Sequence, residues 1–299
     1  MSQKPAVSVL TVSYRSADYI QAFLEALYPQ LEQVKGELIL VDNASDDDTV
    51  AVIEAWLEGK QNVQFIPREH NNGFAMGNNQ ALKHANGEHI LLLNPDTEIQ
   101  AGTLAGLLAE LNDPQLGAVA PQLIWPDGRI QFSCRRFPTH WNIMTQILGL
   151  AVLFPESRWA NSWKMGDFDH TQLRDVDQPA AAALLIRGDL YRELGGLDPE
   201  FPMFFNDVDL CRRITDRGFK IRFQPKWQVV HRGGASIRTD RIRMVVSSQM
   251  SFFRYFTKTF TRVHHQIPNL FLGLALYVAL IPRVFLALFP ATRRERTEL

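Results

Sequence analysis

The chain has 299 residues and a formal net charge of −1, with 46% hydrophobic and 21% charged residues, the balance of an ordinary globular protein. That charge gives no whole-chain case for nucleic-acid binding. Two cysteines, Cys134 and Cys211, lack Cys-X-X-Cys spacing, exclude a disulfide scaffold and fit a reducing compartment as buried thiols.

Residues 1–6 are short and polar, and the apolar run that follows is too brief for a signal-peptide core, so the catalytic part is expected in the cytoplasm. Apolar runs then predict strands over 7–14, 37–42, 63–66, 89–93 and 118–120. Between them, Leu24, Leu27, Tyr28 and Leu31 share one helical face, and 49–58, 77–85 and 103–111 also read as helices. This β-α-β-α alternation predicts an α/β fold: a single Rossmann-like, mostly parallel sheet with helices on both faces, and ligands beyond the carboxyl ends of its strands.

Residues 122–179 are rich in Trp, Phe and Pro without a clear period, and read as an irregular insertion over the cleft. Regularity returns with a strand over 180–186, a helix over 188–194, the Gly195-Gly196 turn, an acidic helix over 207–217, and short strands over 221–223 and 228–231. From 232 to 262 there are seven Lys/Arg and one acid, Asp240. Phe252, Phe256 and Phe260 recur opposite Arg254, Lys258 and Arg262, the pattern of a basic amphipathic helix. Residues 270–281 carry no charge before Pro282-Arg283 interrupts. A span needs roughly 20 apolar residues, so this segment reads as a helix or broken hairpin lying in one leaflet, with an oligomer interface as the alternative. The expected organisation is a domain over 1–237, in halves 1–121 and 122–237, followed by a helical tail over 238–299.

Three carboxylate clusters stand at the ends of apolar runs or at a helix start: Asp42-Asn43-Ala44-Ser45-Asp46-Asp47, Asn94-Pro95-Asp96-Thr97 and Asn206-Asp207-Val208-Asp209. A hard carboxylate emerging at a sheet edge, as Asp96 does, suits Mg²⁺ or Mn²⁺, which take few protein ligands and complete their shells with water and phosphate. The alternative for Asp96 is capping the helix near residue 101. Asp42 can accept from a pyrimidine NH or ribose hydroxyls, while Asp46 and Asp47 read as caps or solvated charges. Residues 71–79 offer glycine-permitted turns and amides but no Gly-X-Gly-X-X-Gly, which disfavours a nicotinamide dehydrogenase. Asp207 or Asp209 can act as a general base. Two residues apart on a helix, they do not share a face; the alternative is an acidic first turn favoured by the helix dipole.

Together these motifs resemble the inverting glycosyltransferases of family 2, with their GT-A fold, and most closely the bacterial rhamnosyltransferase-like branch. The resemblance runs from Val7 to about Ser236 and is carried by Ser8-Val9-Leu10-Thr11-Val12-Ser13-Tyr14, Val41-Asp42-Asn43-Ala44-Ser45-Asp46, Asn72-Gly73-Phe74-Ala75-X-Gly77-Asn78-Asn79, Leu93-Asn94-Pro95-Asp96-Thr97, Gly195-Gly196-Leu197-Asp198 and His231-Arg232-Gly233-Gly234-Ala235-Ser236. It implies that Asp42 contacts the nucleotide base, Asp96 holds the metal, Asp207 is the catalytic base and His231 helps bind metal or diphosphate. Thr11, Tyr14, Asn72, Gly73, Asn78 and Asn94 are assigned with them to the donor side. Two positions depart from the family pattern: Asn94 stands where a first aspartate is often found, and Asn206 where the acidic loop usually has Glu.

The implied reaction is metal-dependent transfer of a sugar, L-rhamnose from dTDP-rhamnose, to a polyprenol-linked or surface-polysaccharide acceptor. A UDP-hexose or UDP-N-acetylhexosamine transferase is the rival within the class. A catalytically silent sugar-nucleotide- or membrane-binding subunit is the rival outside it. The basic tail implies peripheral attachment to the anionic inner face of the cell membrane, with homo-oligomerisation left open and no nucleic-acid partner.

Overall fold

A computed structural model describes residues 4–233 and 241–287. In chain order the first half comprises β1 (Val7–Ser13), α1 (Ile20–Val34), β2 (Glu37–Asp42), α2 (Thr49–Leu57), β3 (Val63–Pro67), α3 (Phe74–Leu82), β4 (His89–Leu93), β5 (Thr97–Ile99), α4 (Thr103–Glu110) and β6 (Leu116–Ile124). The insertion holds β7 (Cys134–Arg135), α5 (His140–Ile147), α6 (Leu150–Leu153), β8 (Arg174–Asp175) and β9 (Gln178–Pro179). Then come β10 (Ala183–Arg187), α7 (Gly188–Glu193), α8 (Asn206–Asp216), β11 (Lys220–His231), α9 (Arg241–Thr259) and α10 (Val263–Ala287).

The main sheet runs β3-β2-β1-β4-β10-β6-β11-β5, with β8 beside β11. It is parallel from β3 through β4, as the alternation of strands and helices requires. β10 enters antiparallel between β4 and β6, because the insertion rather than a crossover helix delivers it. Both faces are covered, and alternate residues serve opposite layers. Val7 and Val9 pack with Phe23, Leu27 and Leu104 of α1 and α4, whereas Leu10 and Val12 pack with Ala75, Tyr191 and Leu210 of α3, α7 and α8. The same alternation in β4 and β10 explains their uninterrupted apolar runs. Cys134 and Cys211 are free and buried.

Two glycines let α3 approach the site. A Cβ on Gly77 would lie 2.7 Å from Val12 Cγ1, and Gly73, at φ +87°, leaves room for the Pro202 carbonyl, 2.9 Å from where its Cβ would stand. The expected pair of strands over 221–223 and 228–231 is one strand, β11, whose pairing with β6 shifts register between Gln224 and Gln228, around Pro225.

The tail requires a correction. Phe252, Phe256 and Phe260 do not face outward. Tyr255 and Phe256 are fully buried against Phe201, Val208 and Ile143, and Phe252 and Phe260 are partly buried in the same cluster. Lys258 Nζ lies 2.6 Å from Asp198 Oδ2 and 2.5 Å from Asp209 Oδ1, tying α9 to α8. The exposed apolar stripe belongs instead to α10, where Ile267, Leu270, Leu274, Tyr277, Val278 and Ile281 are each more than half exposed. This helix is continuous from Val263 to Ala287, so of the two expected forms the chain takes the helix and not the broken hairpin. Among the described residues no helix is long and apolar enough to cross a membrane. Asp240, the 237/238 boundary and Gly234-Ala235-Ser236 lie outside the described residues.

Candidate active site

At the carboxyl edge of the parallel strands lies a cleft of about 2090 Å³, into which Asn94, Asp96, Asp207 and His231 all project. β4 ends at Leu93 and delivers Asn94-Pro95-Asp96 to its floor. β11 pairs antiparallel with β5, setting His231 opposite Thr97, and the Arg232 amide donates to the Asp96 carbonyl at 3.0 Å. Residues 135 positions apart in sequence are thereby fixed side by side, with Asp96 Oδ1 3.5 Å from His231 Nε2.

The tautomer of His231 follows from its other nitrogen. Nδ1 lies 2.7 Å from Gln131 Oε1, and a carboxamide oxygen only accepts, so Nδ1 carries the proton. In the neutral ring the Nε2 lone pair then faces a buried carboxylate, and a cation held between the two would satisfy both acceptors. Nearby, Asn94 Oδ1 is buried without a hydrogen-bond partner. Among the described residues no group of three His, Cys, Asp or Glu forms a cage. One carboxylate, one imidazole and an unanswered amide oxygen fit a hard divalent ion that completes its shell from a phosphate-bearing ligand.

The start of α8 lines the same cleft. Phe205, at φ +65°, makes the left-handed turn into the helix. Asn206 is buried and donates from Nδ2 to the Met203 carbonyl at 2.7 Å, a bond no carboxylate could make. Asp207 Oδ1 accepts from the Val208 amide at 2.8 Å and Oδ2 from Gln178 Nε2 at 3.1 Å. Withdrawal from water pushes the Asp207 carboxyl above its ordinary range, against hydrogen bonds from the Val208 and Ala181 amides and the charge of Arg135. Asp209 points elsewhere. It pairs with Arg213 at 2.7 Å and with Lys258, and so serves the scaffold.

Gln178 and Arg135 escaped the sequence reading. They are cross-strand neighbours in the two-stranded ribbon β7–β9, apart from the main sheet. His170 braces that ribbon: it is buried, its Nδ1–H donates to the Phe168 carbonyl, and Nε2 accepts from the Cys134 amide at 3.0 Å. Burial pulls its pKa down to about 4, keeping it neutral. Two-residue strands in an aperiodic insertion leave no pattern to find.

The remaining donor-side candidates frame the neighbouring ends of β1 and β2 and are not among the cleft's lining residues. Thr11 Oγ1 donates to the Leu93 carbonyl at 2.9 Å. Asp42 is buried and accepts from Ser13 Oγ, Ser45 N and Ser45 Oγ at 2.7–2.8 Å, which leaves about one of its roughly four lone-pair sites for a ligand. Asn78 Nδ2 donates to the Phe74 carbonyl. Asn43 Nδ2 donates to the Gly73 carbonyl. Tyr14 lies beneath the Arg15 guanidinium, and Asn72 is exposed.

Comparison with known proteins adds a family to this geometry. The profile of Glycosyl transferase family 2 matches residues 8–157. The O-antigen biosynthesis protein RfbC of Myxococcus xanthus is 27% identical over 241 residues, 80% of this chain but only 18% of that relative's length. The N-acetylglucosaminyl-diphospho-decaprenol L-rhamnosyltransferase of Mycobacterium tuberculosis is 25% identical over 245 residues, covering 78% of each chain. Among solved structures, the mannosyltransferase PcManGT of Pyrobaculum calidifontis, in complex with GDP-Man and Mn²⁺, superposes with a TM-score of 0.59 over 96% of this chain and 74% of its own, at 20% identity. S. aureus TarS 1-349 in complex with UDP-GlcNAc gives 0.56 at 16% identity, covering 93% of this chain and 81% of its own. These likenesses establish the shared fold.

Proposed function

The chain belongs to glycosyl transferase family 2, and from that premise we propose that it transfers L-rhamnose, with inversion, from dTDP-rhamnose to a lipid-linked acceptor. The observation that carries the reading is that Asp96, with His231 beside it, and Asp207 line a single cleft. The acceptor hydroxyl attacks the anomeric carbon, its proton passes to Asp207 Oδ2, and the bond from that carbon to the diphosphate oxygen breaks in line. Gln178 holds Oδ2 toward the cleft. Asp96 and His231 would hold Mg²⁺ or Mn²⁺, whose charge would stabilise the departing nucleoside diphosphate. The choice of rhamnose and of a lipid carrier is supported by the names of the Mycobacterium relative and of the Escherichia coli rhamnosyltransferase WbbL, 23% identical over 231 residues.

The test is a panel of nucleotide sugars with Mg²⁺ or Mn²⁺, following donor hydrolysis and thermal shift. dTDP-rhamnose should give the largest response, and chelator should remove it. A clear preference for a UDP-sugar would reject the rhamnosyl reading while leaving Asp96 and Asp207 in their roles. A thermal shift without hydrolysis or transfer would favour a catalytically silent sugar-nucleotide-binding subunit.

The same reading places the enzyme where such an acceptor resides. The stripe on α10 is apolar, and residues 241–287 contain no acid, which suits an anionic bilayer surface. Leu270→Glu with Leu274→Glu is expected to lower binding to phosphatidylglycerol-containing vesicles at least about tenfold in flotation assays, without lowering Tm. Truncation after residue 237 is a poorer test, because it strips Tyr255 and Phe256 from Phe201 and Val208; that protein is expected to lose stability as well.

A further inference from the structure

The cleft changes character along its length, and this change bears on how an acceptor enters. Near the catalytic end its walls are polar: Asp96, Asp207, Gln178 and Arg135. Arg174 also lines the cleft and shares Asp167 with Arg136 and Arg158, at 3.7, 3.3 and 3.3 Å, so three guanidiniums meet one carboxylate. At the mouth the same cleft is lined by Phe132, Leu173 and Val152, which are 64%, 51% and 81% exposed. Apolar side chains lining a cleft and still open to water are a cost unless something covers them.

The mouth continues outward. Val152 belongs to α6, and Leu153 of the same helix and the flanking Leu148 and Phe154 are each more than half exposed. The preceding helix α5 is fastened to α10 through His140 Nε2 and Asn269 Oδ1 at 2.8 Å. The α6 part of the apolar rim and the exposed stripe of α10 thus lie next to α5, one following it in the chain and the other bonded to it, whereas Phe132 and Leu173 come from loops. Two acids, Glu156 and Asp169, also line the cleft. Asp169 is engaged by the amide and hydroxyl of Thr171, at 3.0 and 2.9 Å.

We propose that the rim formed by Phe132, Leu173 and α6 is the seat of the acceptor's hydrocarbon chain, which leaves the cleft here while the head group reaches Asp207. This rests on the transferase reading and deepens it: it assigns a surface of this chain to the lipid part of the substrate. The occupant is an amphiphile because one continuous cleft offers buried hydrogen-bonding and cationic groups together with apolar side chains that stay open to water. A soluble oligosaccharide would leave those apolar side chains uncovered.

The experiment compares inorganic pyrophosphate, geranyl diphosphate and farnesyl diphosphate as probes, titrated into the full-length protein by calorimetry below their micellar concentrations. Affinity is expected to rise with chain length, by at least about tenfold from pyrophosphate to farnesyl diphosphate, or about 1.4 kcal/mol. Val152→Asp and Phe132→Ser, both at exposed positions, should bring the farnesyl and pyrophosphate affinities to within about twofold of each other with Tm unchanged. Equal affinities for the three probes would overturn the proposal. So would chain dependence that survives both variants. A dimer in sedimentation velocity that Val152→Asp dissociates would overturn it as well, by giving the rim to a second copy of the chain. Binding is the readout, so a chain without activity on any sugar nucleotide that still prefers farnesyl diphosphate would keep the rim and lose the transferase reading.

Discussion

Asp207→Asn is expected to lower turnover by about a hundredfold or more while leaving donor affinity within about twofold. An amide of the same shape can still hydrogen-bond in the cleft but takes no proton from an acceptor. The pH dependence follows from the raised pKa of the parent carboxyl. The base must be ionised, so activity should fall as pH descends through that raised value, on a limb above the ordinary carboxylate range. For stability the sign is opposite to that of an ion-paired aspartate. The folded state holds this proton more tightly than the unfolded chain. The penalty is absent below the unfolded pKa, grows as pH rises toward the folded one, and is complete above it. The Asn variant should therefore melt at a higher temperature than the parent at neutral pH and at a similar temperature in acid. A higher Tm with lost turnover separates a chemical defect from misfolding. Gln178→Leu should move the acid limb upward and retain kcat on the alkaline plateau, because it removes the donor to Oδ2 and spares the base. Should Asp209→Asn prove more damaging than Asp207→Asn, the base assignment moves to Asp209, despite its pairing with Arg213 and Lys258.

Asp96→Ala is expected to cost about 10²–10³ in turnover, the scale of losing one principal electrostatic stabiliser, and to abolish the metal dependence of donor binding. Asp96 has no second aspartate beside it: position 94 is Asn, and no cage of three acids or histidines stands among the described residues. Gln131→Leu should act through His231. Without the acceptor on Nδ1 the imidazole is free to place its proton on Nε2, and metal affinity should fall about 10–100-fold, as for other partners behind a metal ligand. Calorimetric titration of Mn²⁺ in the presence of the nucleoside diphosphate measures both effects. Unchanged metal-dependent donor binding in Asp96→Ala would remove it from the site.

The strands that build the site were legible because two faces are buried. Residues 38–41 and 90–93 are apolar at every position, and their ends mark where Asp42 and Asp96 emerge. The acidic start of α8 was legible, but not which carboxylate faces the cleft; that is fixed by Lys258 and Arg213 taking Asp209. The Phe252, Phe256 and Phe260 stripe showed a helix with an apolar face, but periodicity does not say whether protein or lipid covers that face. Here Phe201, Val208 and Ile143 lie against it. Gln178 and Arg135 were invisible because their neighbours in space come from a ribbon of two-residue strands, too short to carry alternation.

Lys258 has a further consequence for how the molecule opens. Its ammonium bridges Asp198 and Asp209, and Asp209 is also held by Arg213 of its own helix. α8 and α9 are thus joined by a half-buried ionic clasp over an aromatic seam. In amide hydrogen exchange the two helices should behave as one cooperative unit, with similar opening free energies, although 24 residues separate the last residue of α8 from the first of α9. Lys258→Met would let α9 exchange first and α8 later. The readout would be two opening events in place of one.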